Sequence, residues 1–203
     1  MSKVKKSEIY RKAIHLGSLV IPFSYRYLLH YNKKLAVLYY LLPISVILFV
    51  FELLRLEHRT FKRFFWNFFG IMLRKHERSD FTGATYLMIS SMICISLFPR
   101  DIAFLSLSFL AIGDTLAAIV GISFGKRKLH KSEKSLEGSL ACFLGTFVFA
   151  LFFLDPQKYL VPVIALAGAI GATLAESSRI AIDDNVKIPI FSGLVMSFVN
   201  LFV

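Results

Sequence analysis

The stretch "AIGDTLAAIVGISFG", residues 111–125, decides how the rest of the chain is read. It is apolar almost throughout, yet it carries a full negative charge at Asp114. A carboxylate at the centre of a bilayer costs roughly 2.5–3.5 kcal/mol on insertion scales. Something must compensate for it, and intramembrane acids normally face a bundle interior or a water-filled cavity. Asp114, Ala118, Gly121 and Gly125 fall on one helical stripe, whose small residues let a second helix approach closely.

The surrounding composition supports a membrane helix. The 203 residues are 56% hydrophobic and only 18% charged, with a mean hydropathy of +0.65. A soluble domain is near half apolar with about a quarter charged residues. The reading is an all-α polytopic membrane protein, one domain over 1–203. The net charge of +11 raises nucleic acid as a partner. Its distribution excludes that: the basic residues lie in short blocks between apolar runs, as in loops facing an anionic leaflet. Cys94 and Cys142 lie inside apolar runs and read as packing residues. The five histidines show no metal-ligand spacing.

About seven spans are expected, at 13–30, 35–54, 82–98, 101–124, 138–154, 159–180 and 189–203. Arg26 interrupts the first and is expected to snorkel to the interface. Connections on one side hold 19 Lys and Arg against 5 on the other. That places the N-terminus in the cytoplasm and the C-terminus outside. Residues 57–78 are not a plain loop. Phe61, Phe64, Phe65, Phe68, Phe69 and Met72 share one helical face, with Arg59, Lys62, Arg63, Arg74 and Lys75 flanking or opposing it. The spacing predicts an amphipathic helix in the inner headgroup region, either an anchor or a wall of a lipid route.

Asp114 has companions. Gly168, Ala172 and Glu176 form a second small-residue stripe ending in an acid, and "DDNVKIP" follows it as an expected turn. Between the fourth and fifth spans lies "GKRKLHKSEKSLEGSLA", with Lys126, Arg127, Lys128, Lys131 and Lys134 for charge. Ser135, Gly138 and Ser139 offer a hydroxyl and amides where span 5 opens, the usual seat of an anion. Basic groups near phosphate and acids near a divalent cation are the two halves of a nucleotide–metal site. Asp114 is thus expected to face Mg²⁺ carrying a phosphorylated ligand. "RKAIH" places Arg11, Lys12 and His15 at the inner mouth of span 1, Glu52 and Arg55 are spaced as a local ion pair, and Thr82 of "TGATY" is placed to cap span 3.

Taken in order, "RKAIH", "TGATY", "GDTLAAIVGISFGKRK", "KSLEGS", "AES" and "DDNVKIP" resemble the CTP-dependent lipid kinases: dolichol kinase, phytol kinase and CTP-dependent diacylglycerol kinase. The resemblance implies transfer of the γ-phosphoryl of CTP to a membrane lipid alcohol, whether a polyprenol, a phytol-type isoprenoid alcohol or diacylglycerol. It implies Mg²⁺ on Asp114 and Asp184, with Glu176 as a further ligand. Lys128 and Lys134 would hold the triphosphate, with Ser135, Gly138 and Ser139 cradling phosphate oxygens. Gly121, Gly125 and Asn185 match the nucleotide-binding pattern, Arg11 or Lys12 would balance charge on the transferring group, and Glu137 or Glu176 would serve as base. The chain lacks the extra spans of larger dolichol kinases. The nearest rival, a phosphatidate cytidylyltransferase, carries a DRxxD signature that is absent here, since Asn185 follows Asp183–Asp184. A non-enzymatic transporter is the third reading.

Overall fold

A computed structural model of the chain describes residues 6–70, 73, 77, 79–129, 134–157 and 160–202. The helices are α1 (Lys6–Gly17), α2 (Val20–Phe23), α3 (Leu42–Glu57), α4 (Arg59–Phe69), α5 (Gly83–Leu97), α6 (Arg100–Phe124), α7 (Leu136–Phe153), α8 (Val161–Ser177) and α9 (Asp184–Val199). Two π-helical stretches, Ser24–Leu28 and Leu35–Leu41, follow α2 and lead into α3. The described chain is all-helical. Among the described residues, three helices are long and apolar enough to cross a bilayer: Leu35–Glu57, Arg100–Phe124 and Leu136–Phe153. Gly83–Leu97 and Val161–Ser177 are shorter apolar helices. An integral membrane protein results.

The centre of the bundle is α6, with every residue from Asp101 to Ala111 buried. Around it stand α7, α8 and α9, with α1, α2 and α5 packed against its remaining faces. Ser106 and Ser108 spend their hydroxyls on the carbonyls of Ala103 and Phe104, 3.1 and 2.8 Å away. That self-satisfaction lets hydroxyls sit in an apolar core without other partners. The small-residue stripes are sites of close helix approach. A Cβ on Gly138 would lie 2.6 Å from the Ala117 carbonyl, and one on Gly121 would lie 3.0 Å from Ser135 Oγ. Gly121 and Gly138 therefore let α6 and α7 meet backbone to backbone.

Element boundaries depart from the sequence expectation in informative places. The first span begins seven residues earlier than 13, at Lys6, and breaks between Gly17 and Val20. Arg26 does not snorkel outward. Its guanidinium lies 4.7 Å from the Phe104 ring centroid and donates to the Phe153 carbonyl at 2.9 Å. That carbonyl is one of the last in α7, an orphan acceptor that a cation satisfies. Lys33 does the same for α5, donating to the Phe98 and Ser96 carbonyls at 2.6 and 3.2 Å. Beside them Tyr31 donates to Asp101 at 2.6 Å. Burial, then this hydrogen bond, raises the Tyr31 hydroxyl above its ordinary range, so it stays protonated as a donor.

The last helix starts at Asp184, not 189, so "DDNVKIP" is helix and not turn. Asp183 caps it by accepting from the Asn185 amide at 2.9 Å. Pro189 sits inside α9, where the intrahelical bond from its position is absent. The amphipathic helix of 57–78 is α4, 59–69; residues 71, 72, 74–76 and 78, with Met72, Arg74 and Lys75 among them, lie outside the described residues.

Candidate active site

Asp114 finds its partner on the first helix. Lys12, 5% exposed, reaches from α1 to hydrogen-bond both the Asp114 carboxylate and, at 3.0 Å, its backbone carbonyl. His15 Nε2 stands 3.2 Å from the same carboxylate oxygen. Arg11 turns elsewhere, pairing with Glu8 at 2.6 Å on the more exposed side of α1. Adjacent positions, about 100° apart around the axis of α1, thus give the two members of the basic pair different partners.

A second cluster gathers on Lys134. Its ammonium bonds the Glu176 backbone carbonyl and lies 3.4 Å from both Glu176 Oε1 and Asp184 Oδ2. Ser139 donates to Glu176 Oε2 at 3.3 Å, and Lys187 meets Asp184 Oδ1 at 2.8 Å. The ends of α7, α8 and α9, with Lys12 of α1 and Asp114 of α6, thus bring their charged residues together at one end of the bundle.

A third cluster holds "TGATY" in place. Arg55, 2% exposed, donates to Glu52 at 3.0 Å and to the carbonyls of Glu77 and Asp80 at 2.5 and 2.6 Å. The Thr82 hydroxyl donates to Glu52 at 2.5 Å and does not cap α5. Glu77 takes that task, accepting from the Gly83 amide at 3.0 Å. Gly83 packs tightly against Asn185, whose Nδ2 would lie 2.8 Å from an added Cβ and have to shift. Sequence reasoning found the Glu52–Arg55 pair from its i, i+3 spacing. It missed Glu77 and Lys187, whose partners become visible only when distant segments meet.

The phosphate cradle is differently built from the expectation. The Gly138 amide donates to Ser135 Oγ at 3.2 Å and the Ser139 amide to the Ser135 carbonyl at 3.0 Å. Both amides are therefore spent on the α7 cap and are not turned outward for phosphate. Gly125 lies against Ser135, where an added Cβ would come within 2.7 Å of Ser135 Oγ. Glu137 accepts from the Lys126 and Arg127 amides at 3.2 and 3.3 Å and braces the connection. Lys128 is exposed on that connection, in an antiparallel bridge with Ser135.

Mg²⁺ shared by Asp114, Glu176 and Asp184 does not fit this arrangement. Among the described residues no three His, Cys, Asp or Glu side chains converge as a metal site. Each of the three carboxylates instead faces a lysine ammonium.

A cavity of about 550 Å³ opens beside the first cluster. Lys12, His15, Asp114, Asp184 and Asn185 form its polar end, and Ile47, Leu48, Phe51, Phe61 and Phe65 part of its apolar wall. Arg11, Glu52, Arg55, Glu77 and Thr82 also line it, and its volume is that of a small-molecule site.

A relative from Schizosaccharomyces pombe, "CTP-dependent diacylglycerol kinase 1", is 30% identical and spans 95% of this chain and 93% of its own length. The chain belongs to the CTP-dependent lipid kinase family. The protein of the same name from Saccharomyces cerevisiae is 29% identical, over 97% of this kinase and 74% of the yeast one. A "probable phytol kinase, chloroplastic" from Triticum aestivum is 32% identical over 56% of the chain and 42% of its own. No family model and no solved structure matches this lipid kinase.

Proposed function

We propose that this lipid kinase transfers the γ-phosphoryl of CTP to the hydroxyl of a membrane lipid alcohol at the cytoplasmic face, releasing CDP. The observation that carries the reading is the convergence of Lys12, Asp114, Lys134, Glu176 and Asp184 at one end of the bundle, beside a cavity with an apolar wall. Phosphoryl transfer asks a protein mainly for positioning and charge stabilisation. The lipid oxygen attacks the γ-phosphorus, the bond from that phosphorus to CDP breaks, and CDP leaves with the bonding pair.

Of the acids, Asp114 and Asp184 line the cavity, whereas Glu137 braces a loop and Glu176 is held by Ser139 and Lys134. We therefore assign the hydroxyl proton to Asp114, with Lys12 balancing charge beside it. Lys134 and Lys128 meet the triphosphate. Magnesium belongs in this reading to the nucleotide substrate, as the counter-ion of CTP. Incubation with CTP and diacylglycerol tests the whole: CDP and a phosphorylated lipid are expected, and release of pyrophosphate would overturn it.

Two lysines separate phosphate contact from leaflet charge. Lys134→Ala is expected to raise the apparent KM for CTP or lower kcat, at about 1.5–3 kcal/mol for a charged hydrogen bond. Lys126 is exposed, and Lys126→Ala should change CTP kinetics by about 0–1 kcal/mol. The substitutions alter net charge equally, so matching effects on CTP kinetics would remove the specific phosphate role of Lys134.

Sidedness has its own check. Cysteines at Lys126 and Gln157 should react with an impermeant thiol reagent from opposite faces of sealed vesicles. The native Cys94 and Cys142 are buried and give little background. Labelling of both from one face would overturn the orientation.

A further inference from the structure

We propose that the 550 Å³ cavity is the acceptor-lipid site, and that the hydrocarbon chain reaches it sideways from the inner leaflet, beneath α4. This rests on the kinase reading and adds where the lipid lies and how it arrives. The cavity separates two packed groups. On one side α1 rests on α6; on the other α3 rests on α5 and carries α4. The polar end at Asp114 is where a hydroxyl must stand to be phosphorylated; the wall leading away from it is mostly aliphatic and aromatic, and Glu52, Arg55, Glu77 and Thr82, which also line it, bond one another and the 77–83 backbone. The lining arginines are already engaged, Arg55 by Glu52 and two carbonyls and Arg11 by Glu8, so a triphosphate would lose its hydration against that wall with little replacement, and the occupant is a hydrocarbon chain.

The fourth helix is the movable part of the wall. It has no buried residue, although Phe61, Phe64, Phe65 and Phe69 line the cavity. Phe64 and Phe69 remain 58% and 45% exposed. The helix joins α3 through His58 in an extended conformation. Phe61 packs edge-on against Phe51 at 5.6 Å, and the Arg55 guanidinium lies over Phe65 at 5.5 Å. Arg59, Lys62 and Arg63 are exposed, as on an interfacial helix whose cations meet headgroups while its apolar face meets acyl chains. Such a helix is held by lipid as much as by protein, and can tilt to admit a chain without unpacking a core.

The test uses the full chain in phosphatidylcholine vesicles. Ala84, exposed at the cavity lining, is replaced by Phe to fill the space. Phe152, 80% exposed on α7 and not part of the cavity lining, is replaced by Ala as a control. Ala84→Phe is expected to raise the apparent KM for diacylglycerol about tenfold or more while the KM for CTP stays unchanged; Phe152→Ala leaves both unchanged. Trp66, the chain's single tryptophan, lies on α4 and reads occupancy without turnover. Brominated diacylglycerol should quench it more than brominated phosphatidylcholine at equal mole fraction, and Ala84→Phe should abolish the excess. Equal quenching by the two lipids, or an Ala84→Phe enzyme with wild-type diacylglycerol KM, overturns the cavity assignment and leaves the kinase reading standing. Excess quenching without CTP turnover keeps the cavity and removes the kinase.

Discussion

Asp114→Asn is expected to lower CTP-dependent turnover at least ~10²-fold, the scale on which loss of a single well-placed electrostatic group acts. The substitution keeps the shape of the side chain and removes its charge. It also leaves Lys12, 5% exposed, without its carboxylate, so stability should fall as well, because breaking a buried pair strands the remaining charge. A second variant separates the two effects. Lys12→Met combined with Asp114→Asn removes both charges and should recover thermal stability without recovering turnover. Steady-state CDP release and melting in detergent read the two quantities independently. Wild-type turnover in the single variant, at normal expression, would make Asp114 a structural residue only.

Arg55→Leu is expected to be the most destabilising single change outside the catalytic cluster. Arg55 and Glu52 are buried together, and the guanidinium also serves the Glu77 and Asp80 carbonyls. Its removal leaves a buried carboxylate and two unserved acceptors, a loss of about 3–5 kcal/mol. For a chain of this size that corresponds to a fall in Tm of about 6–20 °C. Glu52→Leu added to Arg55→Leu should restore part of the loss, since no charge is then stranded, but not all, because Thr82 and the two carbonyls still lack partners. An Arg55→Leu protein melting at the wild-type temperature would show that the 77–83 segment is held by something else.

The two expectations rest on clusters of different legibility. The Glu52–Arg55 pair is visible in sequence because both residues lie one helical turn apart, where spacing alone brings side chains together. Its grip on Thr82, 30 residues away, is not, because nothing local records it. Asp114 stands out in sequence because a charge within an apolar run is anomalous. That its ammonium partner is Lys12 and not Arg11 follows from which face of α1 is turned to α6, to which a sequence of adjacent basic residues is blind. The Gly138 and Ser139 amides illustrate the reverse. A helix N-terminus was legible as an anion seat, yet the hydroxyl and carbonyl of the preceding Ser135 satisfy both amides first.

By itself the sequence determined the all-helical membrane architecture, the approximate limits of the apolar helices, the amphipathic α4 and the acids and lysines that carry the family pattern. Each is a property of composition or of local periodicity, written within a few turns of chain. Only the tertiary structure decided which lysine neutralises which acid, that Arg26 turns inward to the end of α7, that α9 begins at Asp184, and that α1 and α3–α4 stand apart around a cavity. The physical reason is one of range. Buried charges and orphan carbonyls must be satisfied by whatever polar group the packing brings within about 3 Å, and in this fold those groups come from segments up to 127 residues away.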